Sequence, residues 1–212
     1  IISGLVGSEM CIRDSNESFL KLKVKVREKI VADGLDDTTF DVTQKGIHLN
    51  AEDFNELLSQ PDTVCVDLRN HYESEIGHFK GAFTPDVDTF RESLPLIEKD
   101  LSVHKEDKRL LMYCTGGIRC EKASAYFKHK GFKNVFQLKG GILNYLNKIK
   151  KKKSMWKGEC FVFDNRVSVK HDLAVGTYFI CGGCRNPVSP KEIKTKKYEE
   201  GVSCSKCYDT LT

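Results

Sequence analysis

Between residues 47 and 149, short apolar runs rich in β-branched residues alternate with stretches of helical composition, and few folds accommodate that alternation. Strand, helix and strand in succession mark a parallel sheet with crossover helices. The expected class is α/β, a parallel sheet flanked by helices, with a small cysteine-rich segment at the C-terminal end. Asn50 is placed to cap a helix over residues 51–59, residues 63–68 read as a buried strand, and residues 89–99 read as a helix with Pro95 as a candidate break. Arg109–Tyr113 is the next strand, and residues 120–130 have helical composition with Gly131 placed to end them. Asn134–Leu138 supplies a last strand, and Gly140-Gly141 turns into a helix that ends at the lysines of 150–153.

The chemistry-bearing loop lies between the strand at 109–113 and the helix after it: Cys114-Thr115-Gly116-Gly117-Ile118-Arg119. A nucleophile there meets converging backbone N–H groups and the positive end of a helix. A free thiol has a pKa of about 8.5, and a helix N-terminus with a nearby cation lowers it by one to several units. Arg119 is that cation. Gly116 and Gly117 carry no side chain to obstruct a loop curling around an anion, so Thr115, Gly116, Gly117 and Ile118 form a candidate cradle with Cys114 on its floor. The bland alternative is a buried cysteine before a tight turn. Cys120 is read in two ways, as a thiol that resolves an oxidised or persulfidated Cys114 and as a packing residue. Cys65 alternates with valines in a strand and reads as a small core hydrophobe.

Cys181-x2-Cys184, nineteen residues and then Cys204-x2-Cys207 match the spacing of a four-thiolate zinc site, one pair from each knuckle. Four thiolates leave no open coordination position, so zinc is expected to be structural, with an iron–sulfur cluster as the lesser alternative. No organic cofactor motif is visible. Nine cysteines, an odd number in varied surroundings, fit metal and thiol chemistry in a reducing compartment better than a disulfide framework.

Charge is uneven. Residues 148–212 carry 14 Lys and Arg against 7 Asp and Glu, leaving 20 against 23 before them. The run Lys150 to Lys153 is the clearest boundary in the chain, and it reads either as a phosphate-binding stretch or as a solvated face. Trp156, Phe161 and Phe163 beside it are candidates for nucleotide stacking or for the core. The longest uncharged stretch, residues 173–184, is 12 residues, against the ~18 to 20 a membrane-spanning helix needs. With no signal-like start, a cytoplasmic location without a membrane partner is expected. Residues 1–15 lack an initiator methionine and resemble translated read-through, so they are set apart from the fold. Residues 20–27 alternate apolar and basic and read as a strand, and residues 33–41 read as a linker.

The loop, together with Val66-Asp67-Leu68-Arg69 and the ESEIGHFKGA stretch that ends at Ala82, resembles a rhodanese domain over residues 47–149. The loop cysteine of that fold carries a persulfide during sulfur transfer. Phosphatases of the fold place five residues between cysteine and arginine. Here there are four, which argues against phosphatase activity. CTGGIRCEKAS from Cys114, DLRNHYESEIGHFKGA from Asp67, LKVKVREKIV before the domain and GECFVFDNRVSV after it are similar to the wobble-position tRNA uridine hydroxylase family. The resemblance implies oxygen-dependent formation of 5-hydroxyuridine at position 34 of tRNA, with tRNA as partner and molecular oxygen as co-substrate. A rhodanese-type sulfurtransferase is the alternative. The resemblance to the hydroxylase family implies Cys114 as the essential thiol, Arg119 as its anion partner, and Asp67 and Arg69 as a charged pair that either buttresses the loop or is purely structural. It further implies that residues 16–44 are the remnant of an N-terminal domain, followed by a rhodanese domain over 45–149 and a basic, cysteine-rich segment over 150–212.

Overall fold

The computed structural model describes residues 26, 31–34 and 40–210. The expected read-through at 1–15 and, Val26 apart, the expected strand at 20–27 lie outside these residues, as does much of the linker.

Four parallel strands form the main sheet in the order β1 (Ile47–Leu49), β5 (Asn134–Leu138), β4 (Arg109–Tyr113), β2 (Thr63–Asp67). Phe83 extends it beyond β2: its N–H donates to Cys65 O at 2.8 Å and its carbonyl accepts from Asp67 N–H at 2.9 Å. Both faces of the sheet are covered, so adjacent residues of one strand enter different cores. Leu110 and Met112 join Val66, Val135 and the apolar faces of α3 (Phe90–Leu101) and α4 (Ile118–His129). Leu111 and Tyr113 join Cys65, Leu138, α1 (Ala51–Leu58) and α5 (Gly141–Lys148).

Several elements follow their local chemistry. Asn50 caps α1 by accepting from the Asp53 N–H at 2.8 Å. β4 and β5 take the bounds that their apolar runs predict. Three expectations need correction. Pro95 does not break its helix: α3 runs through it to Leu101, held by a Thr89–Glu92 capping box and by buried Phe90, Leu94, Ile97 and Leu101. The helix after the cysteine loop begins at Ile118, two residues early, because Gly117 takes a left-handed φ of 95° as its cap. The last helix of the sheet ends at Lys148, and Lys151–Lys153 form a separate 3-10 turn with all three lysines exposed.

Two elements that periodicity did not reveal complete the scaffold. Residues His71–Ile76 form the short helix α2, and Gly77–Phe79 forms β3, which pairs antiparallel with β6 (Trp156–Gly158). The chain therefore returns to the same core directly after the exposed lysine run. Trp156 packs on Phe79 at 5.1 Å between ring centroids, and Trp156, Cys160, Val162 and Val169 belong to the same apolar cluster as Phe54 and Tyr145. A short hairpin of β7 (Cys160–Phe161) and β8 (Ser168–Val169) follows, then a second of β9 (Phe179–Ile180) and β10 (Pro187–Val188). Of the three aromatic candidates for nucleotide stacking, Trp156 and Phe161 are core, whereas Phe163 is exposed.

Candidate active site and cysteine cluster

Cys114 is the first residue beyond β4, and the loop 115–117 turns its sulfur toward the start of α4. The Gly117 N–H donates to Cys114 Sγ at 3.2 Å. Burial by itself raises the pKa of this thiol. It is outweighed by hydrogen bonding from the Cys120 thiol, the Arg119 charge, and the N–H groups of Cys120 and Gly117, which together lower the pKa to about 6. Burial pushes the Cys120 thiol well above its ordinary value, so Cys120 is the protonated donor of the pair. Contact with the Cys114 sulfur and core packing thus coincide in Cys120, which is fully buried. Thr115, Gly116 and Ile118 are half-buried along the loop. Cys65 lies in the core, and burial raises its pKa.

Arg119 is not dedicated to the thiolate. Its Nη1 donates to Glu73 Oε1 at 2.8 Å and to Leu68 O at 3.5 Å, and its guanidinium lies 5.9 Å from the centre of the Phe163 ring. Glu73, at 0% exposure, also accepts from the Thr115 hydroxyl at 3.3 Å and from the Asn70 N–H at 3.2 Å. One buried carboxylate therefore ties together the cap of α2, the cysteine loop and the loop's cation.

Asp67 and Arg69 form a fully buried bidentate pair, with Nε to Oδ1 at 2.9 Å and Nη2 to Oδ2 at 2.6 Å. Arg69 also donates to Glu73 O at 3.2 Å and Gly77 O at 2.7 Å, and its guanidinium lies 5.2 Å from the Trp156 ring. The pair fastens α2 to the sheet and meets the cysteine loop through Glu73, with the Arg69 charge also acting on Arg119. From the other side the loop is pinned by α5, where Ile142 N–H donates to Cys114 O at 3.0 Å and Leu143 N–H to Thr115 O at 3.2 Å.

The second constellation is Cys181, Cys184, Cys204 and Cys207, whose sulfurs all lie within 4.8 Å of one another. Three of the separations are 3.6, 3.6 and 3.9 Å. Tetrahedral coordination with Zn–S bonds of ~2.3 Å implies sulfur separations of ~3.8 Å, so the donor set fits such an ion in both kind and spacing. The Asn186 amide donates to Cys184 Sγ at 3.4 Å, a contact that favours its thiolate, and the Cys204 N–H donates to Cys207 Sγ at 3.4 Å. No other group of three or more His, Cys, Asp or Glu with metal-binding geometry occurs among the described residues.

Comparison with known proteins matches residues 50–148 to the Rhodanese-like domain family. The chain is 52% identical over 205 residues to the tRNA uridine(34) hydroxylase of Pelagibacter ubique (strain HTCC1062), covering 97% of this chain and 66% of that protein. It is 47% identical over 210 residues to the tRNA uridine(34) hydroxylase of Rhizobium leguminosarum bv. trifolii (strain WSM2304), covering 99% and 67%. The chain belongs to the tRNA uridine(34) hydroxylase family. It spans about two thirds of the length of these curated relatives.

For this hydroxylase-family chain, sequence reasoning missed two residues that hold the loop. Glu73 was legible as the last residue of Asn70-x-x-Glu73, a capping-box pattern, though nothing local indicated that its carboxylate also reaches Arg119. Gly141 was read only as a turn. A Cβ there would lie 2.4 Å from Thr115 O and 2.5 Å from Cys114 O, so glycine is what lets α5 approach the loop. Among the described residues no helix is long and apolar enough to cross a membrane.

Proposed function

We propose that this chain catalyses oxygen-dependent hydroxylation of the wobble uridine of tRNA, with Cys114 as the reactive thiolate. The observation that carries the reading is a thiol held at a pKa of about 6 on the floor of the loop, in a chain 52% identical to a tRNA uridine(34) hydroxylase. Arg119 and the amides of Gly117 and Cys120 hold negative charge at the sulfur, Thr115 to Ile118 shape the cradle, and Glu73 fixes Arg119. Replacing C5–H by C5–OH with molecular oxygen releases the second oxygen atom as water. It consumes two electrons and two protons, so a reductant is a required co-reactant.

The four-thiolate cluster is assigned to structural zinc, which supplies folding free energy and no reactive position. Lys150 to Lys153 is assigned to the tRNA backbone, and the location is cytoplasmic, where tRNA is modified. The unit over 45–149 carries the chemistry and the segment over 150–212 supports it. The test is isotopic: tRNA with uridine 34 is incubated with the protein and a reductant under oxygen-18 gas. The reading predicts 5-hydroxyuridine carrying the heavy atom. Hydroxyuridine labelled only from heavy water would contradict it.

A further inference from the structure

Phe163 stands out among the aromatic residues near the loop because it is large, apolar and 60% exposed while held in a rigid setting. The turn after β7 is locked by Asp164 and Arg166, paired at 2.7 and 3.0 Å with both side chains almost wholly buried. Behind the ring, Phe161 packs edge-on at 5.0 Å, and Tyr72 of α2 packs edge-on to Phe161 at 5.5 Å. Over the ring lies the Arg119 guanidinium, 5.9 Å from the ring centre, the same cation that stabilises the Cys114 thiolate. The fold thus presents an ordered aromatic face to solvent next to the reactive loop, with a row of rings behind it.

We propose that Phe163 is the platform on which the base of the target uridine stacks. A pyrimidine has apolar faces and a polar edge. A base face laid on the solvent-facing side of an exposed ring is excluded from water, and the Arg119 guanidinium over the ring adds positive charge close to the stacked base. The lysine run contributes charge but no discrimination between an occupied and an empty base position, whereas a stacking ring contributes only when a base is there. The inference rests on the tRNA reading of the Cys114 site and adds the residue that positions the base.

The experiment uses the full chain and an anticodon stem-loop with uridine or an abasic site at position 34. Affinity, hydroxylation kcat/KM, the pH profile of Cys114 alkylation and the thermal midpoint are measured for wild type, F163A, F163L and F163W. F163A and F163L are expected to lose about tenfold in affinity and kcat/KM, and F163W to retain both. The abasic stem-loop should bind wild type and F163A equally, and Cys114 alkylation should be unchanged. Wild-type behaviour in F163L would overturn the proposal, as would a lowered thermal midpoint with intact binding. A shifted alkylation profile in F163A would make Phe163 a support for Arg119 instead. If wild type neither binds nor hydroxylates the uridine stem-loop, the tRNA reading itself fails, a result distinct from an inert Phe163 in an active protein.

Discussion

At the scale of single residues, the site is a contest between burial and hydrogen bonding at one sulfur. Burial opposes the Cys114 thiolate, and two sets of donors and one cation reverse the balance, lowering the pKa to about 6. Alkylation of Cys114 by iodoacetamide should therefore titrate with a midpoint near 6, and R119A should raise that midpoint by about one to three units. An unchanged profile in R119A would contradict the cradle. The same shift has a stability signature. A thiol at about 6 when folded and near its ordinary value when unfolded contributes stability that is fully present above that ordinary value and lost as pH falls through 6. Comparing the pH dependence of unfolding for wild type and C114A isolates this contribution, and identical curves would contradict the lowered pKa. Cys114 and Arg119 were legible from sequence because strand, glycines and helix start lie within a few residues of one another. The sequence left Phe163 open between stacking and core, and the reach of Glu73 to Arg119 was not legible, because each meets Arg119 only through the tertiary fold.

At the scale of elements, the loop is a joint between three helices. α4 supplies its amides and cation, α2 supplies Glu73, and the first turn of α5 grips its carbonyls. Gly141 is the tightest point, with φ of 65° and two loop oxygens where a Cβ would sit. G141A should cost about 2 kcal/mol in thermal or denaturant unfolding and raise the Cys114 alkylation midpoint. Retention of both would show that the loop does not depend on α5. The elements most legible in the sequence were those whose burial is two-sided and whose residues are contiguous, such as β4 and β5. The short helix α2 has too few residues to show a period, and the pairing of β3 with β6 joins segments far apart in the chain, which no local pattern encodes.

At the scale of the whole molecule, the cysteine cluster and the rhodanese-like core meet at α2. Ile76 packs with Phe161 and Val167, with Tyr178 and Ile180 against them, and Lys206 pairs with Glu75. The cluster's own apolar core is small, built around Cys181, Val188, Cys204 and Cys207, so the zinc assignment predicts that the segment depends on the metal for order. One equivalent of zinc per chain is expected. Removing it with a chelator should expose the four thiols to a colorimetric thiol reagent while leaving the fluorescence of Trp156, the single tryptophan, unchanged in its buried position. A red-shifted Trp156 on chelation would mean that the metal holds the main core as well.

The central claim is that the Cys114 thiolate carries out hydroxylation of the wobble uridine. It is tested most directly by nucleoside mass spectrometry of tRNA from cells lacking their own family member and expressing either this chain or C114S. The account predicts 5-hydroxyuridine with the intact chain and none with C114S, both proteins being folded and equally abundant. Equal 5-hydroxyuridine from the two proteins would contradict it.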